Sequence, residues 1–197
     1  MSGHSLNYES RQAARCAMEI PGQIRETEAA YLYRLARRKG NLAEIGCLFG
    51  RSTSVLARAA SVYGATVTTI DPFYKTPNTN MISSADVWRK NIRGQGLELP
   101  ELLEMPSHEA SKVLDKEISF LFVDGGHSYE DVRQDIEDWI PKIKVNGVIA
   151  FHDMFMPHID GVARAVTEWW LSVFSIKNTT WKLEGMVDYT IAFRRVA

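Results

Sequence analysis

Apolar positions recur along this chain with two alternating spacings. Compact, largely apolar runs at 41–45, 65–70, 118–123 and 147–151, with branched or aromatic side chains, read as buried strands. Between them, apolar residues three and four apart read as helices. The segment 24–39 is the first. Thr27 and Glu28 stand near its start, Leu32, Leu35 and Ala36 share a face, basic residues close it, and Gly40 is its natural C-cap. Helices are expected again over 51–62, 84–93, 107–114, 128–139 and 162–173; Pro141 stops the fourth of these, and Val162, Ala165, Val166 and Trp169 share a face of the last. Residues 101–104 form a weaker strand, and 180–183 with 189–193 a closing pair. The segment 73–83 is rich in turn formers and reads as an irregular loop. Strands alternating with helices predict an α/β architecture: a doubly wound, seven-stranded, mostly parallel sheet covered on both faces, with an antiparallel C-terminal strand. Residues 20–197 read as a single domain. Residues 1–19, polar and weakly patterned, are open to three readings: a loose arm, a short helix or a lid.

Composition narrows the classes of function. With 197 residues, 45% hydrophobic and 24% charged, the chain can bury a substantial core as an ordinary globular protein. A net charge of −1 gives no general electrostatic case for nucleic acid or an anionic membrane as partner. Cys16 and Cys47 lie far apart with no metal-type spacing, which suits a reducing compartment. No apolar run approaches the roughly 20 residues needed to span a bilayer. The polar start, with His4, Glu9 and Arg11 ahead of Ile20, does not read as a signal peptide. A cytoplasmic location is expected.

The candidate chemistry begins at Asn41-Leu-Ala-Glu-Ile-Gly-Cys-Leu-Phe-Gly-Arg-Ser-Thr53. Strand, glycine turn and helix start form a cradle for a nucleotide-like ligand, because glycine lets the backbone approach and the helix offers unpaired N–H groups to an anion. Right-handed crossovers bring the carboxyl ends of parallel strands to one edge. At those ends stand Glu44, Asp71, Asp124, His152 and Asp153. A lone acid there is usually a turn or cap residue; several on one edge point to a ligand. Asp71 follows Gly50 at about the 20-residue distance at which an acid meets ribose hydroxyls, and it disfavours a 2′-phosphate. The spacing Glu44-x-Gly46-x-x-x-Gly50 departs from G-x-G-x-x-G. It argues against a nicotinamide dinucleotide and for another adenosine ligand on a Rossmann-like sheet.

Taken together, Glu44-x-Gly-x-x-x-Gly-x-Ser52, the acid Asp71, Asp124-Gly-Gly-His-Ser-Tyr-Glu130 and Gly147-Val-Ile-Ala-Phe-His-Asp153 resemble class I S-adenosylmethionine-dependent methyltransferases. The similarity is greatest to bacterial small-molecule and sugar O-methyltransferases related to the catechol O-methyltransferase type, over about residues 20 to 195. The resemblance implies S-adenosyl-L-methionine as cofactor. Gly46 and Gly50 would run along its methionine part, Ser52 would bond its carboxylate, Glu44 would meet its amino group, and Asp71 would take both ribose hydroxyls. Ser107 and His108 would stand at the adenine edge, with Asp124 closing the cofactor site. It implies a divalent metal, Mg, Mn or Fe, on Asp124, His152 and Asp153. Relatives carry an acid where His152 stands, and an imidazole suits Mn or Fe better than Mg. The alternative is a core histidine at 152 and a helix cap at 153. His127, beside Asp124, would be the catalytic base toward the acceptor hydroxyl; alternatively it caps the following helix. Tyr129 and Asp135 would fix that helix to the sheet, and Phe155, Met156 and His158 would wall the acceptor pocket. The acceptor implied is a small molecule, a sugar or glycoside hydroxyl, and the assembly a homodimer. Two other functions stay open: a nicotinamide-dependent oxidoreductase, and a cofactor-binding protein without transfer activity.

Overall fold

The computed structural model describes residues 3–74, 83–174 and 180–197. Its elements are α1 (Gly3–Ala17), α2 (Glu26–Ala36), β1 (Asn41–Ile45), α3 (Arg51–Tyr63), β2 (Thr66–Ile70), α4 (Ala85–Gly94), β3 (Glu101–Leu103), α5 (Ser107–Val113), β4 (Ile118–Val123), α6 (Tyr129–Trp139), β5 (Ile143–Phe151), α7 (Asp160–Phe174), β6 (Trp181–Val187) and β7 (Thr190–Arg195). The strands form one seven-stranded sheet in the order β3-β2-β1-β4-β5-β7-β6. β1 to β5 pair in parallel, and β7 runs antiparallel to both of its neighbours. The winding direction reverses between β1 and β4, so a crevice opens beyond their carboxyl ends, where open α/β sheets bind ligands.

Strand periodicity sorts the side chains into two layers. Leu42, Phe120, Phe122, Val148 and Ala150 face α1, α2 and α3, packing with Leu32, Leu56 and Ala59. Ala43, Ile45, Leu121, Val123, Ile149 and Phe151 face α5, α6 and α7, with Ile136, Trp139 and Val166. Trp139 and Trp169 both belong to this second layer; Trp169 stacks edge-on against Trp181 and Phe193. α4 closes a smaller cluster of Cys47, Trp88 and Ile92 beside the glycine turn.

Several boundaries differ from the sequence expectation. Residues Gly3–Ala17 form a helix, whose Ala13, Ala14 and Ala17 are buried in the first layer. α2 stops at Ala36, because Arg37 leaves helical geometry (ψ 72) and its guanidinium engages Tyr63 and Glu9. Gly40 is therefore not a cap; at φ +108 it turns the chain into β1. β5 begins at Ile143 rather than 147, with its register against β4 shifting between Ile118 and Phe120, and Asn146 at φ +64. That polar irregularity interrupts the apolar run by which a strand is recognised. Of the expected loop at 73–83, residues 75–82 lie outside the described residues. No helix among the described residues is long and apolar enough to cross a membrane.

Candidate functional site

The turn after β1 is built by close approach. Gly46 has φ +82, and a Cβ there would lie 2.0 Å from the backbone oxygen of Asp124, so only glycine lets the ends of β1 and β4 converge. The turn is pinned by Asp71 at the end of β2. Its Oδ2 accepts from the N–H groups of Cys47 and Leu48, both at 2.9 Å, and its Oδ1 from Phe73 at 2.7 Å. Oδ2 is thereby filled, and Oδ1 keeps one lone pair for a further donor. Asp71 is thus a scaffold for the turn, a duty that the ribose role alone did not include. Gly50, at φ +94, precedes α3; a Cβ on it would meet Ile92 and Trp88 of α4 at 3.0 and 3.1 Å. Its missing side chain serves that packing, a duty beyond the expected one along a ligand. Arg51 was not singled out from the sequence. Its Nε donates to the carbonyl of Ile20 (2.7 Å) and its Nη1 to that of Ile24 (2.9 Å), holding the α1–α2 connection at the rim of the site.

A cleft of about 810 Å³ opens at this edge of the sheet. Gly46, Ser52 and Asp71 line one side; Ser107, His108, Asp124, His127 and Asp153 line the other. Three expected site residues stand behind this wall: Glu44, Gly50 and His152. Glu44 is fully buried; Thr53 Oγ1 donates to its Oε2, while Oε1 has no partner. Burial pushes its pKa up to about 8. Ser107 donates to Asp135 and accepts from Trp139 Nε1 (2.8 Å), and His108 Nδ1 lies 2.8 Å from Asp138. Asp135 also lines the cleft, and burial pushes it up to about 6. Through Ser107 it ties α6 to α5. Tyr129 donates to Glu168 at 2.6 Å, with Arg164 over its ring, so it ties α6 to α7 rather than to the sheet. Met156 lines the cleft, whereas Phe155 and His158 are exposed outside it, against expectation.

The ends of β4 and β5 carry the densest polar cluster. His152 is 3% exposed; its Nδ1 lies 3.0 Å from Asp124 Oδ1 and 3.3 Å from Asp153 Oδ1, and its Nε2 lies 3.3 Å from Glu28 Oε1. Burial opposes charge on this ring, but the three carboxylates outweigh it and raise the pKa. Burial likewise pushes Asp153 up, yet its contacts with His127 and His152 hold it below the usual carboxylate range. His127 Nε2 lies 2.9 Å from Asp153 Oδ2, and this contact raises the His127 pKa. The cap of α6 is Ser128, which accepts from Asp131 N–H, so His127 is not the cap. Asp153 sits at φ +57 in a turn closed by Met156 N–H, and α7 starts at Asp160, so Asp153 is no helix cap either.

Asp124, His152 and Asp153 offer donor atoms within 4.8 Å of one another. Two octahedral ligands at about 2.1 Å from a common ion stand about 3 Å apart, close to the 3.0 and 3.3 Å seen from Nδ1. The donor set fits a divalent cation. Glu28 was read from the sequence only as part of a helix start. The signal was there: it precedes Leu32 by four residues, placing an acid on the apolar face of α2.

A family profile described as a methyltransferase domain matches residues 43–154. A 39-residue stretch is 49% identical to the uncharacterized protein y4gI of Sinorhizobium fredii, and amounts to 20% of this chain and 4% of that relative's length. Among solved structures, the O-methyltransferase NovP is similar over 100% of both chains, with a TM-score of 0.75 and 18% identity. The O-methyltransferase from Bacillus cereus, in complex with SAH, is similar over 97% of this chain and 91% of that one, at 0.64 and 20%. CalS11, a TDP-rhamnose 3′-O-methyltransferase of calicheamicin biosynthesis, is similar over 98% and 95%, at 0.62 and 16%. At these identities the likeness is one of fold.

Proposed function

The chain belongs to the methyltransferase-domain family, and from that premise we propose that it transfers the methyl group of S-adenosylmethionine to a hydroxyl of a small molecule, with a sugar or glycoside as the favoured acceptor. The observation that carries the reading is convergence. Acids and histidines from five separate segments meet at one cleft at the switch point of the sheet. The sugar preference draws on the likeness to CalS11.

The residues present fit the cofactor. Gly46 leaves the backbone open, Ser52 stands in the first turn of α3, Asp71 Oδ1 retains a lone pair, and Glu44 Oε1 is a buried oxygen without a partner. Once bound, S-adenosylmethionine supplies a sulfonium-activated methyl, so no covalent enzyme intermediate is required. The chain then has to orient and to move a proton. Orientation of the acceptor in the cleft supplies much of the rate. His127, held at Nε2 by Asp153, takes the acceptor's proton on Nδ1. Asp124, Asp153 and His152 Nδ1 would hold a divalent ion, which supplies Lewis acidity toward the acceptor oxygen.

A labelled-methyl assay across sugars, glycosides and phenols, with and without chelator, tests the proposal. Transfer to a hydroxyl is expected. Tight S-adenosylhomocysteine binding with no transfer to any acceptor would favour a binding protein, and NAD binding in its place would favour the oxidoreductase reading. A second measurement isolates Glu44. Its carboxyl is largely protonated at pH 7, and pairing with the ligand's ammonium pulls its pKa down. Binding at pH 7 is therefore expected to release up to about 0.9 proton from this group. Calorimetry in buffers of different ionisation enthalpy reads that release, and Glu44→Gln is expected to abolish it. The same raised pKa stabilises the ligand-free fold below about pH 4.5, the ordinary value of a glutamate; the effect fades as pH rises through 8. Glu44→Gln is expected to flatten that slope.

A further inference from the structure

Behind the cleft, one buried acid has no role in the mechanism above. Glu28 is 0% exposed and lies on the apolar face of α2. Its Oε2 accepts from Arg25 N–H at 2.9 Å, and its Oε1 from Tyr189 N–H at 3.1 Å and Thr190 Oγ1 at 2.9 Å. Those donors come from the start of α2 and the β6–β7 turn, so the carboxylate is clamped from two sides and cannot swing. Packing alone would be served by an apolar residue, since a buried carboxylate is costly to desolvate. The same Oε1 lies 3.3 Å from His152 Nε2, a buried nitrogen that makes no hydrogen bond. The opposite nitrogen, Nδ1, faces Asp124 and Asp153.

We infer that Glu28 is a positioning residue: its clamped negative charge faces Nε2 of His152, favours the proton on that nitrogen and so leaves the Nδ1 lone pair for a cation at the Asp124–Asp153 pair, making the cluster a site for a first-row transition cation rather than for Mg²⁺. The inference rests on the metal-assisted reading above. To ligate, the ring gives up one of the two protons that the surrounding carboxylates favour; the neutral imidazole then carries one N–H and one lone pair, and the partner of one nitrogen decides which is which. A clamped acceptor behind Nε2 leaves Nδ1 free to ligate. With no acceptor there, the N–H can turn toward Asp124 and Asp153, and the ring then donates where a metal needs a lone pair. The cluster sets three carboxylates, Glu28, Asp124 and Asp153, around one imidazole.

The test is Mn²⁺ binding to the full chain without cofactor or acceptor, read by electron paramagnetic resonance of free Mn²⁺ and by Mg²⁺ competition. The parent protein is expected to bind Mn²⁺ at one site. Glu28→Gln is expected to weaken Mn²⁺ by about 10- to 100-fold, with Mg²⁺ affected less, so the Mn-over-Mg preference falls. S-adenosylhomocysteine affinity is expected to stay within about 2-fold. Thr190→Val removes only the hydroxyl that orients Oε1 and should shift the preference in the same direction by less, which decides the matter if Glu28→Gln does not fold. Folded variants with parental Mn²⁺ affinity and parental preference would overturn the role of Glu28 while leaving the metal reading standing. A parent protein that binds no Mn²⁺ would overturn both.

Discussion

Asp71→Ala is expected to reduce affinity for S-adenosylhomocysteine by more than about 100-fold, with no binding detected at ordinary calorimetric concentrations. Two losses combine. A hydrogen bond from a ribose hydroxyl to the free site on Oδ1 contributes about 1.5–3 kcal/mol, against the 2.8 kcal/mol or so that a 100-fold change represents. The substitution also strips the acceptor from the N–H groups of Cys47, Leu48 and Phe73. Each costs about 1–3 kcal/mol if left unpaired and dry, so the glycine turn loosens as well. Asp71→Asn separates the two effects, because an amide keeps one acceptor oxygen and the shape of the side chain. It should restore much of the melting temperature and little of the affinity. Parental affinity in the alanine variant would sink the assigned cofactor geometry.

His127→Ala should behave oppositely: affinity for S-adenosylhomocysteine unchanged within about 3-fold, and single-turnover transfer slowed by about 10²–10⁴, the usual contribution of a positioned base. His127 lines the cleft and is not part of the glycine turn, so the cofactor side has no reason to notice its loss. Its pH dependence carries a sign. Contact with Asp153 raises the His127 pKa, and the working form is the neutral ring. The acidic limb of kcat/KM is therefore expected above the ordinary histidine value, with activity rising as pH increases through it. The limb should vanish in the alanine variant. Full activity there would remove the base from the scheme.

Both predictions concern residues that the chain advertises locally. Asp71 and Asp124 end apolar runs, and His127 follows three residues after Asp124. Their identities as strand-end groups follow from a period of two and a following break. Glu28 advertises less. It looks like an ordinary acid in the first turn of a helix, and its partner His152 is more than a hundred positions away. Gly50 also shows only part of its duty: it sits in a ligand-type motif, and the space that a side chain on it would fill belongs to Trp88 and Ile92.

What the amino-acid order decided alone was the alternation of strand and helix, the glycine at 46, and the gathering of acids at one sheet edge. These depend on local periodicity and on the handedness of crossovers, which hold for any parallel α/β chain. The tertiary structure alone decided that Asp71 is tied to three backbone N–H groups, that Gly50 serves α4, and that Glu28 stands behind His152. Each is a pairing between segments remote in sequence. Such pairings are set by strand register and by the way helices seat on the sheet, and no local spacing encodes either.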